Sequence, residues 1–159
     1  MSDYLLNVGD AAPDIDLPTW PEGTLKLSDY RGQWVIVYFY PKDSTPGCTT
    51  ESCEFRDALP DFTTANAKIV GVSRDSVKSH SNFITKQSLN FPLISDGEEA
   101  LCKAFDVMQL KQNYGKEYMG IERSTFIINP EGNVAEVWRK VRVKEHVATV
   151  LEALKALQG

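Results

Sequence analysis

Two apolar runs dominate the first half of the chain: Trp34-Val35-Ile36-Val37-Tyr38-Phe39-Tyr40 and Lys68-Ile69-Val70-Gly71-Val72-Ser73. Neither alternates with polar residues, which predicts strands covered on both faces. Between them, positions 48, 55, 59 and 62, with the small Ser52, fall on one stripe at helical spacing. This predicts a helix from near Pro46, with Pro60 kinking or ending it near Leu59. Before the first run, Gly9-Asp10-Ala11-Ala12-Pro13 opens an extended stretch through Leu17. Leu25-Lys26-Leu27 alternates like a short strand, and Ser28-Asp29-Tyr30 predicts a capped turn. Residues 76–88 read as a helix turning Val77, Phe83 and Ile84 inward, 91–94 as a short strand and 98–105 as a short helix. Strands at 124–128 and 134–138 flank the turn Asn129-Pro130-Glu131-Gly132-Asn133. A last helix from about 144 to 157 gathers Val147, Val150, Leu151, Leu154 and Leu157 on one face. Strands alternating with helices, closed by a hairpin and a helix, predict an α/β fold with a mixed central sheet flanked by helices.

With 159 residues the simplest organisation is one domain spanning 1–159, and 42% apolar residues supply a real core, which excludes disorder. The net charge of −5 argues against a nucleic-acid surface. Arg139, Lys140, Arg142 and Lys144 are the densest basic cluster, and Glu136 and Glu145 flank them as on a solvated face. No segment has the roughly 20 apolar residues of a membrane span. Met1-Ser2-Asp3-Tyr4 lacks the basic-then-apolar pattern of a secretory signal, so a cytoplasmic location is expected. Three cysteines in a reducing compartment do not make a structural disulfide framework.

The chemistry concentrates at Cys48. Thr45-Pro46 reads as a helix start, a hydroxyl cap followed by proline at the first helical position. Cys48 then falls in the first turn, among unpaired N–H donors and at the positive end of the macrodipole, where a thiolate is stabilised. The bland reading is a small buried hydrophobe. Cys53, five residues on, would stand about 8.7 Å from Cys48 between Cα atoms of an intact helix. Disulfides rarely tolerate more than about 7 Å, so the two sulfurs cannot join while those turns are wound. Cys102, in Leu101-Cys102-Lys103-Ala104-Phe105, has no basic or capping context and is expected to be core-facing or inert. His80 and His146 lack the spacing of metal ligands and are expected at the surface near helix ends; no metal and no cofactor are expected.

Pro41, Thr45 and Cys48 fit the Pro-x-x-x-Thr-x-x-Cys signature of peroxiredoxins, and Arg123 in Gly120-Ile121-Glu122-Arg123-Ser124-Thr125-Phe126 fits their distant arginine. The run Thr45-Pro46-Gly47-Cys48-Thr49-Thr50-Glu51-Ser52-Cys53 resembles the peroxiredoxin Q, or bacterioferritin comigratory protein, branch. The similarity extends from Gly9 to the last helix. It implies a thioredoxin-like fold and reduction of hydrogen peroxide or organic hydroperoxides by a thiol donor of the thioredoxin or glutaredoxin type. Cys48 would be the nucleophile and Arg123 its electrostatic partner, with Thr45 in the pocket and Pro41 shaping the mouth. Cys53 would be the resolving thiol, which requires local unwinding in every cycle. Some relatives carry that cysteine in the following helix, and 76–88 has none here. Relatives are often monomers, and an internal resolving thiol makes a partner subunit unnecessary. Thr45 as a plain cap, Pro41 as a strand terminator, Arg123 as a surface cation and Cys53 as a bystander remain the alternatives. Two other functions compete: a thiol–disulfide oxidoreductase, disfavoured by Cys-x-x-x-x-Cys in place of Cys-x-x-Cys, and a redox-switched binding module.

Overall fold

The computed structural model describes residues 4–21 and 23–159; Met1, Ser2 and Asp3, read above for a secretory pattern, lie outside the described residues. The two apolar runs become β3 (Trp34–Phe39) and β4 (Ala67–Ser73), parallel neighbours in the middle of a seven-stranded sheet. In chain order the other strands are β1 (Leu17–Trp20), β2 (Thr24–Leu25), β5 (Leu93–Ser95), β6 (Met108–Asn113), β7 (Lys116–Ile121), β8 (Ser124–Ile128) and β9 (Val134–Trp138). The helices are α1 (Pro46–Thr64), α2 (Val77–Gln87), α3 (Ala100–Ala104) and α4 (His146–Gln158). The sheet order is β2-β1-β5-β4-β3-β8-β9, with β3, β4 and β5 parallel and the remaining pairings antiparallel. Strands β6 and β7 form a separate hairpin. The mixed sheet flanked by helices predicted from sequence is therefore present.

Alternation along β3 explains why the whole run is apolar. Val35, Val37 and Phe39 enter a core with Leu101, Phe105 and Phe126, on the α3 side. Ile36, Tyr38 and Tyr40 enter the opposite core with Phe55 and Phe62 of α1, Phe83 of α2 and Val150 and Leu154 of α4. Both faces are covered, and each fully buried side chain of this size contributes about 1.5–3 kcal/mol.

Several elements differ from the sequence expectation. Helix α1 runs through Pro60 to Thr64 rather than ending near Leu59. Proline removes the N–H that would reach the Arg56 carbonyl; Asn90 Nδ2 donates to that oxygen instead, at 3.2 Å. The strand expected at 25–27 stops at Leu25, and a 3-10 turn, Leu27–Tyr30, buries Leu27. The β6–β7 hairpin was not expected, because its outer residues are exposed and give no apolar period. Tyr114 and Gly115, with φ of 53° and 77°, make its two-residue turn. Arg139 is not on a solvated face: its guanidinium donates to the carbonyls of Phe105, Asp106 and Leu6. No helix of the described residues is long and apolar enough to cross a membrane.

Gly71 on β4 lets side chains from its two neighbouring strands, β3 and β5, close over it. A Cβ there would lie 2.6 Å from Leu93 Cδ2 and 2.9 Å from Tyr38 Cζ. Gly71→Ala is expected to lower unfolding free energy by about 1–3 kcal/mol in urea titrations. An unchanged midpoint would show that the Tyr38 face of the sheet is loosely packed.

Candidate active site

The site forms where β3 leaves the sheet and α1 begins. Tyr40 is still tied to β4 through its N–H to the Val72 carbonyl (3.1 Å). The chain then turns sharply, with Ser44 at φ 63°, into Thr45, the extended N-cap residue of α1. Pro46 follows in the first turn, as the sequence predicts. The Thr45 hydroxyl does not cap the helix; it donates to the Lys42 carbonyl at 2.8 Å and closes the turn. Pro41 is half-buried at the start of this turn. Cys48 is the third residue of α1 and is 1% exposed.

Arg123 enters from the short link between β7 and β8, with its main chain fixed by the Val141 N–H to the Arg123 carbonyl (3.0 Å). Its guanidinium forks: Nη2 donates to Cys48 Sγ at 3.3 Å and Nη1 to Glu51 Oε1 at 2.7 Å. Arg123 is thus no surface cation; its side chain is 17% exposed. Gly47 leaves room for it, since a Cβ at that position would lie 3.3 Å from Nη2. Glu51 itself is fully buried, and its Oε2 finds no partner among the described residues. Burial pushes its carboxyl up to about 7, against the pull of Arg123. Burial works against the Arg123 charge too, but Glu51 and the Cys48 sulfur outweigh it and raise the arginine further. Glu51 was missed from sequence, although its place three residues after Cys48 puts it on the same helical face.

Cys53 is not part of this group. It is half-buried on the side of α1 that meets α2, and its Sγ donates to Gln87 Oε1 at 3.5 Å. Both Cys48 and Cys53 are free thiols on one unbroken helix. Cys102 is fully buried on α3, where burial and the Asp96 carboxylate raise its thiol far above the ordinary range.

The two histidines are near helix starts but not at the surface. His80 is fully buried between Asp43 Oδ2 (2.7 Å from Nδ1) and the Ile94 carbonyl (2.9 Å from Nε2). His146 is 6% exposed, with Nε2 2.7 Å from the Thr125 hydroxyl and its ring edge-on to Phe55 and Trp138. Burial, then the nearby Arg123 charge, push the His146 ring down to about 4. Sequence periodicity cannot reveal such histidines, because the acceptors they meet come from distant strands.

Among the described residues, Asp43, Asp75 and His80 could bring metal-ligand atoms together, within 4.8 Å. Those atoms are already committed. Asp43 accepts from Tyr40 (2.6 Å) and Ser79 (2.8 Å), and Asp75 accepts from Ser73 (2.6 Å) and the Asp43 N–H (2.8 Å). The network pins the turn 41–45 to the start of α2.

The chain that carries this buried cysteine and its guanidinium partner is similar to known proteins. The AhpC/TSA family model matches residues 8–137. Peroxiredoxin Bcp of Xanthomonas campestris pv. campestris is 55% identical over 156 residues, 98% of each chain. Peroxiredoxin Bcp of Bacillus subtilis is 53% identical over 150 residues, 94% of this chain and 96% of that one. The solved Xanthomonas campestris peroxiredoxin Q superposes with a TM-score of 0.89 at 55% identity, covering 98% of both chains. Trapped intermediate and ligand complexes of the bacterioferritin comigratory protein from the same organism, solved for its alkyl peroxide reduction activity, give 0.90 at 54% identity, covering 99% of this chain and 100% of that one. With its thioredoxin-like sheet and this degree of identity, the chain belongs to the AhpC/TSA family, as a peroxiredoxin of the Q, or bacterioferritin comigratory protein, branch.

Proposed function

We propose that this peroxidase reduces hydrogen peroxide and organic hydroperoxides through Cys48, with Cys53 as the resolving thiol. The observation that carries the reading is the Arg123 fork, which aims a hydrogen-bond donor at the Cys48 sulfur from 3.3 Å. The Cys48 thiolate attacks one peroxide oxygen, the O–O bond breaks, and its electrons leave with hydroxide or alkoxide. Sulfur is oxidised to a sulfenic acid. Arg123 stabilises the anion that develops on the departing oxygen. The Thr45 hydroxyl proton is spent on the Lys42 carbonyl, so its oxygen is left to accept the peroxide O–H. Pro41, which has no N–H, shields the sulfur and shapes the mouth.

The Cys53 thiol then attacks the sulfenic sulfur, the S–S bond forms, and the hydroxyl departs with the thiol proton as water. An external dithiol of the thioredoxin or glutaredoxin type returns both cysteines to thiols and is itself oxidised. An internal resolving thiol supports a monomer, and the redox chemistry supports a reducing cytoplasm. Cys48→Ser is expected to abolish peroxide consumption. Cys53→Ser should complete one turnover, keep the sulfenic acid and form no internal disulfide, read by mass spectrometry after one equivalent of hydrogen peroxide. Normal thioredoxin-coupled recycling in Cys53→Ser would refute its assignment.

Glu51 gives a stability test of the same fork. Its carboxyl sits at about 7 when folded against an ordinary 4.5, so the folded chain keeps a proton that the unfolded chain releases. That stabilisation is complete below the unfolded value and is lost as pH rises through the folded one. His146, depressed to about 4 from 6.5, acts oppositely, and its stabilisation is lost as pH falls below 6.5. Since His146 is common to both proteins, Glu51→Gln against wild type isolates the carboxyl. The variant is expected to gain about 3 kcal/mol on wild type between pH 4.5 and 8 in urea unfolding. Parallel pH courses would show that Glu51 is ionised in the folded chain throughout.

A further inference from the structure

Pro60 leaves α1 with an interior carbonyl, that of Arg56, that no helical N–H can reach. Helix α2 ends at Ser88 in the left-handed conformation, leaving the Gln87 carbonyl among its unsatisfied last-turn acceptors. The two helices satisfy each other. Arg56 Nη1 donates to the Gln87 carbonyl at 2.6 Å, and Asn90 Nδ2, just past α2, donates to the Arg56 carbonyl at 3.2 Å. One turn earlier on α1, the Cys53 thiol donates to Gln87 Oε1 at 3.5 Å. Three bonds thus join the end of α2 to residues 53–56 of α1.

We infer that this end of α2 is a clamp on α1 that times the resolving step. Gln87 holds Cys53 in place on the wound helix, while Arg56 and Asn90 fix the point at which unwinding stops. The inference rests on the proposed Cys48–Cys53 reaction. For Cys53 to reach the sulfenic sulfur, the turns from Cys48 to Cys53 must open and the bond to Gln87 must break. The two bonds at Arg56 need not break. Phe55, fully buried and stacked on Tyr38 with ring centroids 4.7 Å apart, lies just upstream of that anchor. Gln87 and Arg56 are positioning residues in this scheme, since neither touches the peroxide. A sulfenic acid that waits can meet a second peroxide and become a sulfinic acid, with that peroxide reduced to water or alcohol. The clamp therefore sets how much peroxide the enzyme tolerates.

The test follows the sulfur species of the full chain by rapid quench and mass spectrometry over a series of hydrogen peroxide concentrations. Gln87→Ala is expected to form the internal disulfide about three- to tenfold faster, the range expected for loss of one neutral hydrogen bond. The peroxide concentration giving half-maximal sulfinic acid should rise in proportion. The rate of the initial Cys48 oxidation reads a different step and should not follow it. Gln87→Glu keeps an acceptor oxygen and should restore the slow rate. Asn90→Ala should extend the opening beyond Arg56, seen as faster amide exchange at residues 57–59 and 61–64 in the oxidised protein. An unchanged resolving rate in Gln87→Ala, with the disulfide forming normally in wild type, would overturn the clamp alone. Absence of that disulfide in wild type would overturn the underlying reading, and the clamp with it.

Discussion

The Arg123 guanidinium binds the structure's chemistry to its fold. One cation serves two acceptors, Cys48 Sγ and Glu51 Oε1, that stand one helical turn apart on α1. A carboxyl as deeply buried as Glu51 is costly unless a charge or proton compensates it. Arg123 supplies the charge, and Glu51 in return sets the direction from which the guanidinium reaches the sulfur. Removing either would leave the other poorly placed. The arrangement also explains why Gly47, rather than a larger residue, precedes the cysteine: the guanidinium passes within 3.3 Å of where its Cβ would be.

A second constraint follows from putting two thiols on one helix. Helix α1 must be wound to place Cys48 under Arg123, and it must open if Cys53 is to reach it. The first turns are chosen accordingly. Gly47, Thr49 and Thr50 are weak helix formers. The wound state is instead held by tertiary bonds: Glu51 to Arg123, the Ser52 hydroxyl to Tyr38 at 2.7 Å, and Cys53 to Gln87. Phe62, beyond Arg56, belongs to the core behind these bonds and makes none of them.

Much of this was legible in the chain, and the failures have physical reasons. Unbroken apolar runs identified β3 and β4 because strands covered on both faces leave no polar period. The Thr45-Pro46 start and the first-turn position of Cys48 followed from local helix rules, and the motif resemblance picked out Arg123 although nothing local links it to Cys48. Glu51 escaped because a charged residue on an apolar stripe looks like the edge of that stripe. Its partner is 72 residues away, and no periodicity carries that information. Both histidines were placed at the surface for the same reason: Asp43, Ile94 and Thr125, which satisfy them, converge only in the folded sheet. Pro60 misled because helix rules count the lost bond and not the side chain, here Asn90, that replaces it.

The same helix separates its two sulfurs by the polarity of what each one faces. Cys48 meets a donor, Arg123 Nη2, at 3.3 Å. Cys53 instead meets an acceptor, Gln87 Oε1, to which its thiol donates at 3.5 Å. In the wound state the two thiols therefore face partners of opposite hydrogen-bonding polarity without any difference in residue type. Winding therefore does two jobs at once, exposing one thiol to a cation and parking the other against an amide. In the proposed reaction, opening the helix would withdraw Cys48 from Arg123 and free Cys53 from Gln87.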